Sequence, residues 1–411
     1  MATCLPPCRR IEVVTVFHVL INALASTAGG GVTYLRNLLP RLEQHGADCC
    51  YYVLVPPEHL ADYIGLANAR VRIETIAIRG GLLRRCWWEQ TALSRVLKEQ
   101  GIATLVSLGN FALFAAPVPQ VLFNRNALYF SPEFTSDLLA RGEYATWFEH
   151  KVKSWLARIS IKLASINVAP SAALLNQLRF ATDLPASRLA LLPFGFDQKQ
   201  FTANLEPLAA ELCEKLNLQP NCRRLLYVSH YNYFRNFETL LRALPELKRA
   251  LRERAGLQLQ LVLTTELKSG AVYGGYDATA AADLIDQLGV RGDIAMLGSV
   301  PYEQLHQLYR LCDVYVCPSY AESFGHPLVE AMAMGLPVAA ADLPVHREMC
   351  GSAAVYFDVF DERALAEQCA RVITDAQLHM ELRERGLQRS KDFSWDKHCQ
   401  QLVELIRSCV T

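Results

Sequence analysis

The chain has no net charge, no long uncharged apolar run and no cysteine spacing of the metal-binding kind. Lysine plus arginine and aspartate plus glutamate number 41 each, so the overall balance points to no nucleic-acid partner. No stretch approaches the roughly 18 apolar residues that a membrane-spanning helix needs. Thirteen cysteines are present, yet no pair of Cys-x-x-Cys units and no Cys/His cluster with zinc spacing occurs. Most of them lie in apolar segments, as Cys312 and Cys317 do in LCDVYVCPS. There a reduced thiol acts as a small hydrophobe. A reducing, cytoplasmic setting without a resident metal is the expectation. The first glycine cluster does not spell Gly-x-Gly-x-x-Gly, which argues against a dinucleotide site.

What is present is ordinary globular material. Hydrophobic residues make up 51% and charged residues 20% of 411 positions, and at roughly 100–200 residues per domain two or three domains are expected. Residues 1–200 hold six more basic than acidic side chains, and residues 201–411 six fewer. The basic half suits an anionic partner such as a lipid phosphate or membrane surface, or simply carries scattered solvated charge. The opening MATCLPPCRRIEVVTVFHVL has a signal-like pair of arginines, but Glu12 and His18 interrupt its apolar run. A first buried strand fits better than a leader.

Short β-branched runs alternate with longer helical patterns. Strands are expected over Ile11–Phe17, Tyr51–Val55, Thr104–Ser107 and Ile166–Ala169. In the second half they are expected over Leu225–Val228, Leu257–Leu263, Ile294–Leu297, Val314–Cys317 and Val338–Ala340. Such alternation builds parallel sheets covered by helices on both faces. It pauses over 197–222, a polar stretch without a strong strand run. This divides the chain into 1–200, 201–390 and a final amphipathic helix within 391–411. Ligands of doubly wound sheets bind beyond the carboxyl ends of the strands, so the chemistry is expected in the loops that follow them.

The most specific segment is PSYAESFGHPLVEAMAMGLPVAAA, Pro318–Ala341, which follows the apolar strand VYVC. Pro327 suits a first helical position, and the free N–H groups and dipole at that helix start favour a diphosphate or sugar oxygens. Glu322 precedes the turn. Glu330 sits in a nearly all-apolar helical run, where an unpaired charge is costly. Two glutamates eight apart mean little by spacing alone; a cap and a solvated surface residue are the bland readings.

With its flanking SFG, proline and GLPV, this segment resembles the E-x7-E stretch of retaining GT-B glycosyltransferases, the large group related to bacterial mannosyl- and glucosyltransferases. Weaker likenesses run along nearly the whole chain. Gly29–Gly31 after the first strand are similar to the family's N-terminal glycine loop, with Gly30 and Gly31 as donor-site candidates. NVAPSAALLNQL resembles the family's strand–Ser segment, and LLPFGFD the motif that ends its first domain. LGSVPYEQLHQLY resembles the loop bordering the nucleotide base, at Val300, and FSWDKHCQQL the helix that returns to the first domain. In YVSHYNYFRNFETLL, Ser229-His230 stand where the family has Gly-Arg, and Arg235-Asn236 where it has Lys-Asn. Arg235 suits bidentate phosphate binding; His230 contributes charge only when protonated.

The resemblance implies a GT-B fold: two Rossmann-like doubly wound α/β domains facing a central cleft. It implies transfer of a hexose from a GDP- or UDP-sugar, such as GDP-mannose or UDP-glucose, to a glycan or lipid-linked acceptor. Configuration would be retained, in polysaccharide or lipopolysaccharide biosynthesis. Glu322, Ser323 and the Phe324, Gly325, His326 and Pro327 backbone would hold the sugar, Glu330 the ribose, and Arg235 with His230 the diphosphate. No metal or other cofactor is implied, the nucleotide sugar being a co-substrate. After VPQVLF, where many relatives carry a catalytic-site histidine, stand Arg125 and Asn126. Both remain candidates beside a plain loop cap, with Asn126 kept among the catalytic ones. Rival readings are a sugar-nucleotide epimerase or phosphorylase of the same fold, and a silent nucleotide-sugar-binding module. The run EYATWFEHKVKSWLARISIKLAS aligns Phe148, Val152, Trp155, Ile159 and Leu163 on one helical face beside Lys151, Arg158 and Lys162. That face is expected to pack on the first sheet, with peripheral membrane docking as the alternative.

Overall fold

The computed structural model describes residues 16–26, 30–78, 81–204 and 206–410. Residues 11–15 of the expected first strand and Gly29 lie outside them. The first sheet is built from β1 (Phe17–Asn22), β2 (Cys49–Val55), β3 (Val71–Thr75), β4 (Thr104–Ser107), β5 (Gln120–Phe123), β6 (Ile166–Ala169) and β7 (Leu189–Leu191), in the order β3-β2-β1-β4-β5-β6-β7. β1 pairs in parallel with β2 and β4, β2 with β3, β4 with β5, and β6 with β7. The second half forms β8 (Cys222–Tyr227), β9 (Gln258–Leu263), a small hairpin of β10 (Val272–Tyr273) and β11 (Tyr276–Asp277), then β12 (Ile294–Met296), β13 (Val314–Cys317), β14 (Val338–Ala341) and β15 (Ala354–Phe357). The second sheet runs β12-β9-β8-β13-β14-β15, again parallel. In both sheets the order reverses beside the first strand, as in a doubly wound Rossmann-like fold.

The chain clusters into two compact units. The first comprises residues 1–123, 163–166 and 399–411. Its core joins Leu20, Tyr52, Leu54 and Leu105 of the strands to Leu93, Leu97 and Ile102. Each fully buried leucine contributes about 1.5–3 kcal/mol. The helix Gly30–His45 buries Tyr34, Leu35, Leu38, Leu39 and Leu42 along one stripe. The end of the last helix, Trp395–Val410, belongs to this unit, and Arg407 there grips Asp48 bidentately at 2.6 and 2.9 Å.

The second unit comprises 124–162 and 167–398 and contains the whole second sheet. Its helices are explicitly bounded: Asp361 accepts from the N–H groups of Arg363 and Ala364, Asp375 accepts from Leu378, and Gly256 closes the helix Phe237–Ala255. Within this unit the segment 193–196 crosses the start of the last helix. Phe196 N–H donates to Phe393 at 3.3 Å, and the His398 ring meets the Pro193 carbonyl at 2.8 Å. A Cβ on Gly195 would fall 2.1 Å from the Trp395 nitrogen, so only glycine fits.

The helix Tyr144–Leu163 corrects one expectation. Its buried face is His150, Ser154, Ala157, Ser160 and Ile161, while Phe148 is 66% and Trp155 61% exposed. The expected apolar face is therefore turned outward. Small side chains allow close packing on the other face, and their hydroxyls are absorbed locally, Ser160 donating to Leu156 at 2.8 Å and Ser154 to Tyr129.

Candidate active site

The second sheet changes direction between β8 and β13, and the loops after these two strands are laced together. Tyr227, the last residue of β8, donates its hydroxyl to the Arg235 carbonyl at 2.8 Å and meets the Ser319 hydroxyl at 3.1 Å. Tyr320 N–H donates to Phe234 at 3.0 Å. Asn236 adopts a left-handed conformation at φ 56°, opening the helix Phe237–Ala255, and its side-chain N–H donates to the Pro318 carbonyl at 3.0 Å. Thr239 fixes the amide's other end at 2.7 Å. These contacts bring the Arg235 guanidinium onto the Glu322 carboxylate as an ion pair. Burial pushes the Glu322 carboxyl up, but Arg235, His346 and the Ser323 N–H outweigh it, so the group lies below its ordinary value and is ionised.

Glu322 also accepts from Ser323 N–H at 3.1 Å. Two residues on, Gly325 stands at φ 86°, and a Cβ there would meet Leu328 Cδ1 at 2.8 Å. That turn releases the chain into the helix His326–Ala333, with Pro327 in its first turn. Phe324 is buried, and the His326 ring stacks on Phe194 at 5.2 Å. Burial, reinforced by Arg125, pushes His326 down to about 4, so it is neutral near pH 7. Glu330, one turn into the helix, is 5% exposed. Tyr309, on the helix Tyr302–Leu311 that follows the Val300 loop, donates to it at 2.8 Å. Burial raises the Glu330 carboxyl to about 7 against that hydrogen bond.

The structure thus gathers Arg235, Glu322, Ser323, Phe324, Gly325, His326, Pro327 and Glu330 around one strand-to-helix turn. His230 is exposed on the β8 loop, next to Ser229, whose N–H donates to Thr264 at 3.0 Å. Val300 is half-buried in the loop before Tyr302. Asn126 accepts from Leu128 N–H at 3.0 Å and caps a short turn. Its neighbour Arg125 lies over the Phe194 ring at 5.6 Å, alongside His326. Gly30 and Gly31 open the helix Gly30–His45 of the first unit, Gly30 exposed and Gly31 buried. Sequence reasoning missed Tyr309 and Phe194, although both lie in the segments LHQLYR and LLPFGFD. It also missed His346, which is fully buried with its ring between the Ala341 carbonyl, at 2.8 Å, and the Cys317 sulfur, at 3.7 Å.

A cavity of about 420 Å³ lies beside Asn236 and Tyr320. Its polar lining is largely committed: Arg141 pairs with Glu238 at 2.9 Å, and Tyr320 donates to Asp137 at 2.6 Å. Among the described residues no group of three or more His, Cys, Asp or Glu is placed to hold a metal ion, and no helix is long and apolar enough to cross a membrane.

A parallel sheet with an anion-favouring helix start, a guanidinium and two carboxylates at its switch point is a place where doubly wound folds bind ligands. Residues 210–389 match the family model described as Glycosyl transferases group 1. Probable sucrose-phosphate synthase 1 from Oryza sativa subsp. indica is 28% identical over 225 residues, 52% of this chain. That match covers 21% of the rice protein, so the chain spans about a fifth of the length of the curated relatives it matches. Solved structures match over nearly the whole chain. Sucrose-phosphate synthase from Thermosynechococcus elongatus has a TM-score of 0.71 at 19% identity, covering 95% of this chain and 98% of that one. Anabaena HepE in complex with UDP-glucose has 0.70 at 19%, covering 95% and 99%. WaaG, a glycosyltransferase involved in lipopolysaccharide biosynthesis, has 0.67 at 15%, covering 94% and 99%. At these identities the structural likeness establishes the GT-B fold.

Proposed function

We propose that the chain transfers a hexosyl group from a nucleoside-diphosphate sugar, UDP- or GDP-linked, to a hydroxyl of a glycan or lipid-linked acceptor with retention of configuration. The observation that carries this reading is the Arg235–Glu322 pair at the mouth of the helix His326–Ala333. A positive guanidinium beside the positive end of a helix dipole suits the diphosphate, and an ionised carboxylate one side chain away suits sugar hydroxyls. The bond from the anomeric carbon to the diphosphate oxygen breaks, the bond to the acceptor oxygen forms, and the acceptor proton passes to the departing diphosphate. Arg235 stabilises the charge that develops there. Glu330, when ionised, accepts from the ribose hydroxyls.

In this reading residues 201–390 hold the donor and 1–200 the acceptor. No resident metal is assigned, and the setting is cytoplasmic, in polysaccharide or lipopolysaccharide assembly. A fold neighbour bound to UDP-glucose makes that nucleotide sugar the first donor to try.

The test is thermal unfolding of the purified chain against UDP-glucose, UDP-galactose, UDP-N-acetylglucosamine, GDP-mannose and the free nucleotides. A donor at 100 times its dissociation constant adds about 2.7 kcal/mol to the folded state. One donor is expected to raise the melting temperature, and Glu330→Ala to abolish the rise. No rise with any of them would count against the reading.

A further inference from the structure

We propose that the helix Tyr144–Leu163 is a membrane-surface anchor that lies on an anionic phospholipid bilayer. It is 20 residues long, and Tyr144, Phe148, Val152, Trp155 and Leu163 on it are all exposed. Their spacing of three, four and eight places them on one stripe at about 100° per residue. Single exposed apolar residues are commonplace, but a contiguous apolar strip the length of a helix marks a contact surface. Tyr144 is 68% exposed, Val152 41% and Leu163 47%.

Charge decides what the strip touches. The helix carries Lys151, Lys153, Arg158 and Lys162 against one acid, Glu149, which is paired with Lys153. On the helical wheel Lys151, Arg158 and Lys162 line one edge of the apolar stripe. Arg188 joins that edge, its guanidinium donating to the Lys162 carbonyl at 2.7 Å. Their stems can lie along the apolar strip while the charged heads reach outward. Phenylalanine, tryptophan and leucine on one face with lysine and arginine beside them is the make-up of a helix lying in the plane of a bilayer, its apolar face roughly 5–10 Å deep. Tyr144 and Trp155 each present an apolar body with a polar tip, which suits the headgroup boundary. The centre of a protein–protein interface, by contrast, is poor in lysine. Anionic headgroups attract each basic side chain held near the surface, and salt screens that attraction. This surface stands independently of the transferase reading.

The full chain is to be floated with vesicles of phosphatidylcholine alone and of phosphatidylcholine with phosphatidylglycerol, at low and high salt. Flotation is expected with the anionic vesicles at low salt and is expected to weaken as salt is added. The double variant Phe148→Glu, Trp155→Glu is expected to lower the partition coefficient about tenfold or more. Lys151→Glu with Arg158→Glu is expected to remove the preference for anionic lipid. Because all four side chains point outward, melting temperature and donor-induced shift are expected to stay at wild-type values. A chain that stays unbound at low salt overturns the proposal, as does a double variant that floats equally well. Sedimentation velocity without lipid covers the remaining occupant: an oligomer that the double variant dissociates would mean that a second copy covers the face, and would overturn the anchor.

Discussion

Glu330 offers the sharpest test of how the site is built. Its carboxyl is held at about 7 by burial instead of the ordinary 4.5, with only the Tyr309 hydroxyl favouring the charged form. Between those two pH values the folded state keeps a proton that the unfolded chain has released, so stability falls as pH rises through the window. At 1.36 kcal/mol per unit, the loss completed above about pH 7 amounts to about 3 kcal/mol. Glu330→Gln keeps the shape and the acceptor for Tyr309 but cannot ionise. The variant is expected to match wild type near pH 5 and to exceed it by about 3 kcal/mol near pH 8, a rise of several degrees in the transition of the unit that contains it. It is expected to lose donor affinity over the same range, because a neutral amide is a weaker acceptor for ribose hydroxyls. The assay is thermal melting across pH, with and without donor. A stability difference that is the same at both ends of the range would refute the argument, since then burial of charge would not be the cause.

Arg235→Ala is expected to lower kcat by roughly 10²–10³, the usual cost of removing one group that stabilises developing negative charge, and initial rates at saturating donor measure it. A loss below tenfold would take Arg235 out of the reaction. Gly325→Ala forces φ 86° on a residue with a Cβ and drives that carbon to 2.8 Å from Leu328. It is expected to cost about 1–3 kcal/mol in melting experiments and to raise the donor KM, since the helix start must move.

The strand VYVC was legible to the residue, because an apolar β-branched run bounded by Asp313 and Pro318 has no competing pattern. The turn from Glu322 to Pro327 was legible for the same kind of reason: glycine and proline there each serve one backbone purpose. The edge strands β3 and β7 of the first sheet were not. β3 reads VRIET and leaves most side chains at the surface, and β7 has two half-covered residues and an exposed Leu191, so neither shows a buried run. The outward face of the helix Tyr144–Leu163 escaped a reading based on hydrophobic periodicity, which assumes that the largest side chains turn inward. Close packing chose Ser154, Ala157 and Ser160 instead. Tyr309 and Glu330 meet across 21 positions, and nothing local announces that pairing. His346 was hidden likewise, its partners lying on two neighbouring strands.

The crossing at Gly195 has a consequence for how the molecule is made. Pro193 and His398 touch although 205 positions separate them. At about 5–20 residues per second, on the order of 10–40 s of translation pass between the emergence of the two sides. Through that interval Phe194, the ring on which His326 later stacks, has no Trp395 or His398 beside it. The corner that supports the His326 turn therefore closes only once this last helix has emerged, at the end of synthesis.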